Sequence, residues 1–300
     1  MQSLTTNIHK KAASPTVSIG LPVYNSEMFI GEAIESLLKQ TFGDFELIIS
    51  NNASTDRTEV ICREYAARDN RIIYIQQPEN IGAIANFHFV LEQAVGEYFM
   101  WAAGDDKCEP AFIESLLAVF KADEDVVLAM SDVRNISETG LYLGVSRLDN
   151  IRIQDVKDRW NKIRPVFFEN PTSQIFFSVY GVFRTAILRQ ISLDYFGMVR
   201  YASGAEIPFL AQLAIKGKIA SIPEDLKTYR RHSNSLFAKE QSTGNPWMRL
   251  RNLCNISNCL IRIALRSELP AIDKLRALIA ILRTGTQKVV VFLLRRAFQR

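Results

Sequence analysis

Tyr98-Phe99-Met100-Trp101-Ala102-Ala103-Gly104-Asp105-Asp106 is the stretch on which the fold turns. Five apolar residues, 98–102, contain neither Gly nor Pro and read as a short strand buried on both faces. The run ends abruptly in a glycine and two adjacent carboxylates. Neighbouring carboxylates repel each other unless a cation or solvent lies between them. A buried strand delivering two acids to its carboxyl end is therefore a candidate site as well as a structural element.

The same pattern repeats upstream. Val17–Leu21 and Phe45–Ile49 are β-rich runs, followed by Tyr24-Asn25 and Asn51-Asn52. Pro22 is expected to end the first run. Ile72–Ile75 is a further short strand, and Val126–Met130 another. Between them, Ile30, Ala33, Ile34, Leu37 and Leu38 recur at helical spacing within Glu27–Lys39. A second helix, capped by Ser54 or Thr55, runs through Val60, Ile61 and Tyr65. A third spans Asn80–Ala94 with Gly96 beyond it, and a fourth is opened by Pro110 and runs to Ala122. Strands alternating with helices of about 12 residues predict a mostly parallel sheet covered on both faces. Ligands sit outside the carboxyl ends of such strands, so the three polar clusters should line one edge.

The later chain is less regular. Residues 135–175 contain Gly140, Gly144, Pro165 and Pro171 and read as loops or an irregular lobe. Ala205–Gly217 is helical, Ile219–Pro223 a short strand and Thr228–Ser235 a polar loop. Past Pro246, two or three helices are expected, broken near Pro270 and Gly285. The organisation read from this is a lead over 1–15, an α/β domain over 16–240 and a basic helical extension over 241–300.

Charge supports that last division. Residues 245–300 hold 11 Lys and Arg against 2 Asp and Glu, whereas the first 244 hold 25 against 30. Such an imbalance points to an anionic partner for the C-terminal segment, lipid before protein, and nothing marks a nucleic-acid reader. Residues 286–300 combine Val289–Leu294 and Phe298 with Lys288, Arg295, Arg296 and Arg300, the composition of a helix that either lies on an anionic leaflet or packs on the main domain. No window approaches the roughly 20 apolar residues of a membrane span, and no signal-like core opens the chain. Cys62, Cys108, Cys254 and Cys259 form neither a CxxC pair nor a disulfide framework. A cytoplasmic protein is expected, peripheral on the inner face of the cell membrane if that segment binds lipid.

Three further groups carry chemistry. Hard divalent ions bind through one or two carboxylates plus substrate phosphates, which suits Asp105 and Asp106 to Mg²⁺ or Mn²⁺. His232, within Tyr229-Arg230-Arg231-His232, is a candidate further ligand, and the two arginines are candidate phosphate contacts. Glu206, at the start of an apolar helix, is a candidate general base. Each has an ordinary alternative: a solvated turn, a basic surface loop, a carboxylate complementing a helix dipole.

Taken in order, these segments resemble the family 2 inverting glycosyltransferases of GT-A fold over residues 16–235. Val17–Asn25 is similar to that family's opening strand and Phe45–Asp56 to its second-strand motif. Asn80, Gly82 and Asn86, followed by Ala94–Tyr98, resemble the helix and strand before its metal motif. Asp105-Asp106 matches the end of its DXD-type motif, and Glu206, with Gly217 eleven residues on, the helix bearing its base. The resemblance implies a nucleotide-diphosphate sugar donor, in the first instance a UDP-sugar. It also implies a saccharide or lipid-linked acceptor, inversion at the transferred carbon, and a part in bacterial surface polysaccharide synthesis. Pro22, Tyr24 and Asn25 would line the nucleotide pocket, with Asn51 facing the base. Asn80, Gly82 and Asn86 would complete the donor site. Asp105 and Asp106 would hold ribose and metal, His232 would be a further metal ligand, and Glu206 would deprotonate the acceptor.

Two departures stand out. Asn51 replaces the usual acid, and Ala103 stands where many relatives carry the first acid of the metal motif. A degenerate, non-catalytic binding subunit is therefore an alternative. A sugar nucleotidyltransferase is another, although the Gly/Arg/Lys-rich loop it needs after the first strand is absent. Leu21–Asn25 also lacks the G-x-G-x-x-G of a dinucleotide-binding dehydrogenase.

Overall fold

The computed structural model describes residues 14–148, 175–193, 206–232, 246–279 and 281–283. Four parallel strands form one half of the sheet: β1 (Val17–Val23), β2 (Phe45–Asn51), β3 (Ile72–Gln76) and β4 (Tyr98–Trp101). Helices α1 (Ile30–Leu38), α2 (Thr58–Arg68) and α3 (Ala83–Gln93) connect them. The order β3-β2-β1-β4 is the doubly wound arrangement the alternation predicted.

Pro22 lies inside β1 rather than ending it. Gly20 O accepts from Ala102 N on the β4 side, so the missing N–H at Pro22 falls on that side too. The β4 register has already stopped at Gly20↔Trp101, so no ladder bond is lost.

The second half is mixed. After β5 (Lys107–Cys108) and α4 (Phe112–Ala122) come the long β6 (Val126–Ser137) and its hairpin partner β7 (Tyr142–Ser146). A 3₁₀ turn (Ile175–Tyr180), the three-residue β8 (Val182–Arg184) and the short helix α5 (Thr185–Leu188) follow. Then come α6 (Glu206–Lys216), β9 (Lys218–Arg231) and α7 (Pro246–Arg266). β8 sits antiparallel between β4 and β6, and β9 runs parallel to β6 and antiparallel to β5.

Two expectations are corrected. Part of 135–175 is a β-hairpin, not loop; residues 149–174 lie outside the described set. Thr228–Arg231 is strand, not loop. β9 continues past Pro223 because its pairing with β6 breaks between Ser131 and Val133, which leaves Pro223 outside the ladder. The break near Pro270 is present, separating α7 from a helix over 271–279, whereas Gly285 and 286–300 fall outside the described residues.

Side-chain alternation splits the core into two layers. Leu47, Ile49 and Met100 face α1 and α4, whose Ile34, Leu37, Leu116 and Phe120 bury against them. Ile48, Phe99 and Trp101 face the other way, onto Val90 of α3 and Phe209, Leu210 and Leu213 of α6. Ile256, Leu260 and Ile263 of α7 join that second layer. All four cysteines are free, and three are buried. No helix among the described residues is long and apolar enough to cross a membrane.

Candidate active site

The carboxyl ends of β1, β2 and β4 carry the polar clusters, and the loops there are tied to one another. Asn25 adopts φ 49° and Ala53 φ 55°. In that left-handed turn Asn25 N donates to Ser54 Oγ at 2.9 Å, and its Oδ1 accepts from Thr55 N at 2.8 Å. Asp56, rather than Ser54 or Thr55, serves the start of α2. Its carboxylate accepts from Thr58 N and Glu27 N, both at 3.0 Å. Burial works against that charge, but the Thr58 and Glu27 donors hold Asp56 below the usual carboxylate range.

Behind this rim Asn51, Asn52 and Asn86 form a buried brace, which the exposed Asn80 joins. Asn51 is wholly buried; its Nδ2 donates to Tyr74 Oη and Gln76 Oε1, and its Oδ1 accepts from Ser54 N. The amide is thus turned onto β3 and the loop that follows β2. Asn86 is buried too, exchanging hydrogen bonds with Ser50 Oγ (2.6 Å) and Ser50 O (3.0 Å). Asn80 Oδ1 accepts from Asn52 Nδ2 and from Gly82 N. Gly82, at φ 85°, makes the left-handed entry to α3 that a side chain would strain. Pro22 is half-buried at the strand end, and Tyr24 stands 48% exposed beside it.

Asp105 and His232 face each other across the sheet edge. Asp105 Oδ2 lies 2.8 Å from His232 Nε2, with Phe29 packed on the imidazole at 5.4 Å between ring centroids. Asp105 follows β4 and His232 follows β9, so the pair exists only because β5 draws the two strand ends together. Among the described residues no three His, Cys, Asp or Glu side chains form a complete metal cage. One half-exposed carboxylate and one imidazole nevertheless fit a divalent cation whose other positions go to substrate phosphates and water.

Asp106 is turned inward. Its Oδ1 accepts from Arg230 N at 3.2 Å, and its Oδ2 faces Lys227 Nζ at 3.8 Å, where both side chains are almost inaccessible. Neither Asp106 Oδ2 nor Lys227 Nζ has a hydrogen-bond partner, so their contact is ionic. Burial, with the Asp105 charge beside it, pushes the Asp106 carboxyl up, and Lys227 pulls the other way. The structure thus brings Asp105 and His232 together and sets Asp106 beneath them.

Arg230 is not placed as a phosphate contact. Its guanidinium donates to Asp105 O, Glu138 O and Glu32 Oε2, and stacks 4.4 Å from the Phe29 ring centroid. Arg231 donates to Asn135 Oδ1. Arg230 is thus spent on holding the edge, whereas Arg231 stays exposed.

Glu206 enters from the far layer. α6 is anchored by Phe209, whose ring meets Trp101 at 6.3 Å and Phe183 at 5.7 Å, so the helix bearing Glu206 is packed on the strand bearing Asp105. The 3₁₀ turn that ends at Tyr180 contacts both α6 and β4. Burial first, then the charges of Asp106, Asp105 and, more weakly, Glu206, raise the Tyr180 hydroxyl well above the ordinary phenol range. Its ring also covers Lys227 Nζ at 4.9 Å. Neither Tyr180 nor Lys227 carried a signal in the sequence, because each acquires its neighbours from strands and turns far away in the chain.

Comparison with known proteins agrees with this geometry. A family model described as "Glycosyl transferase family 2" matches residues 18–192. The glycosyltransferase GlyG of Streptococcus pneumoniae is 27% identical over 240 residues, 76% of this chain and 74% of that protein. The minor teichoic acid biosynthesis protein GgaB of Bacillus subtilis is 31% identical over 156 residues, 50% of this chain but 17% of its own length. Staphylococcus aureus TarS, solved with UDP-GlcNAc, superposes with a TM-score of 0.63 at 18% identity, covering 89% of this chain and 71% of TarS. The mannosyltransferase PcManGT of Pyrobaculum calidifontis, solved with GDP-Man and Mn²⁺, gives 0.55 at 16% identity, over 93% and 75%. The structural likenesses establish the GT-A fold. With the family match covering more than half of its length, the chain is a glycosyltransferase and belongs to glycosyl transferase family 2.

Proposed function

We propose that this enzyme moves a sugar, with inversion, from a nucleotide-diphosphate donor to a saccharide or lipid-linked saccharide acceptor in bacterial surface polysaccharide synthesis. The observation that carries the reading is the Asp105–His232 pair at the carboxyl end of β4. The donor follows by analogy with TarS, solved with UDP-GlcNAc and with UDP, and PcManGT, solved with GDP-Man. A UDP-sugar is the first candidate. The acceptor class follows from GgaB, named for teichoic acid synthesis. The cytoplasm is the matching location, with residues 16–240 as the transfer domain and 241–300 as its helical extension.

In this reading Asp105 and His232 would hold a divalent cation, Mn²⁺ or Mg²⁺. When bound, it would supply charge to offset the leaving diphosphate. Asp106 and Arg230 fix the backbone from which Asp105 projects. Glu206 takes the proton of the acceptor hydroxyl, whose oxygen then bonds to the anomeric carbon from the face opposite the diphosphate. The bond from that carbon to the diphosphate oxygen breaks, and the configuration inverts. Glu206 reaches one methylene further than an aspartate would.

Thermal stabilisation by UDP, GDP, CDP and dTDP, each with and without Mn²⁺, tests the donor site. Ligand binding to the native state adds about 2.7 kcal/mol at a hundred times Kd. A Mn²⁺-dependent rise with one nucleotide is expected and identifies the base. No rise with any of the four would refute a nucleotide-diphosphate donor.

A further inference from the structure

The helix over 271–279 presents an apolar stripe to solvent. Ile272, Leu275 and Ile279 recur at helical spacing, and each is 53–57% exposed. At about 100° per residue they fall on one face. The opposite face is the packed one: Ala277 is fully buried, and Ile281, itself helical, is buried as well. On the packed side Lys274 Nζ donates to Leu265 O at the end of α7 at 3.2 Å, which ties this helix to α7. The helix therefore has two apolar sides, and the fold uses one.

The segment that carries the stripe is basic. Residues 262–283 carry five Lys and Arg against Glu268 and Asp273. Asp273 is largely buried and paired with Arg276 at 3.4 Å, so it offers little negative surface. Arg262, Arg266 and Arg276 are exposed. A second copy of the chain would bring like charge against like charge at such a contact. An apolar stripe on a basic segment matches instead a surface with an oily interior and anionic headgroups.

We propose that the helix over 271–279 docks this enzyme on an anionic lipid surface. Ile272, Leu275 and Ile279 enter the headgroup boundary, and the arginines contact lipid phosphates. The assignment concerns described residues and does not depend on segment 286–300 or on the identity of the donor.

Flotation of the full chain with vesicles tests it. Phosphatidylglycerol vesicles should carry the protein, phosphatidylcholine vesicles should not, and added salt should weaken the binding. Leu275→Asp with Ile279→Asp should reduce that binding by about tenfold or more. Both positions are exposed, so the melting temperature should stay at the wild-type value, and a Leu275→Ser, Ile279→Ser pair serves if the aspartates unfold the helix. Unchanged flotation of the double variant would overturn the proposal. So would equal flotation with both lipids, or a wild-type dimer in sedimentation that the same substitutions dissociate.

Discussion

Asp105 Oδ2 and His232 Nε2 meet at 2.8 Å although 127 positions separate them in the chain. Their meeting rests on β5, which pairs Lys107↔Thr228 and Cys108↔Lys227 and so sets the turn after β4 against the last residues of β9. Arg230 locks the arrangement by donating from its backbone to Asp106 and from its side chain to the Asp105 carbonyl.

If that pair holds the cation, Asp105→Asn and His232→Ala should each lower Mn²⁺-supported transfer by about 10²-fold or more. The Mn²⁺-dependent part of nucleotide stabilisation should vanish in both variants, and chelation should do the same to the wild type. Full Mn²⁺ dependence surviving in His232→Ala would show that the metal is held elsewhere.

Glu206→Gln keeps the size of the side chain and removes its basicity. Transfer should fall by about 10²–10⁴-fold, the range for loss of a general base, with nucleotide affinity unchanged. Retained turnover would remove Glu206 from the chemistry. Loss of nucleotide binding instead would place it in the donor site.

Lys227 neutralises Asp106 in a pocket where their side chains are 3% and 2% exposed. Lys227→Met should cost about 3–5 kcal/mol in urea unfolding, because a buried carboxylate loses its counter-charge. Adding Asp106→Asn to that variant should recover much of the loss. A cost below about 1 kcal/mol for Lys227→Met would mean that protonation of the carboxyl or water, not Lys227, compensates Asp106.

The parallel half of the sheet was legible from residues alone, since Val17–Leu21, Phe45–Ile49, Ile72–Ile75 and Tyr98–Ala102 are local apolar runs separated by local helical periodicity. The mixed half was not. β5 is two residues long and β8 three, too short for any periodicity, and both exist only because long partners lie alongside them. Thr228–Arg231 reads as a polar loop because its strand character comes from pairing with β6 and β5, not from apolar content.

The same division runs through the site. Asp105, Asp106, His232 and Glu206 were singled out by residue type and by the elements they follow, and their order in the chain pointed to the family. Residue type could not separate Asp105, half-exposed beside an imidazole, from Asp106, buried against an ammonium one position later. Nor could it show that Arg230 is consumed by Glu32, Glu138 and Asp105, or that the Asn51 amide is spent on Tyr74 and Gln76. Sequence determines which groups are available and which strand ends carry them, because those depend on local backbone preference. Burial and partnership depend on contacts between distant segments, and only the tertiary structure decides them.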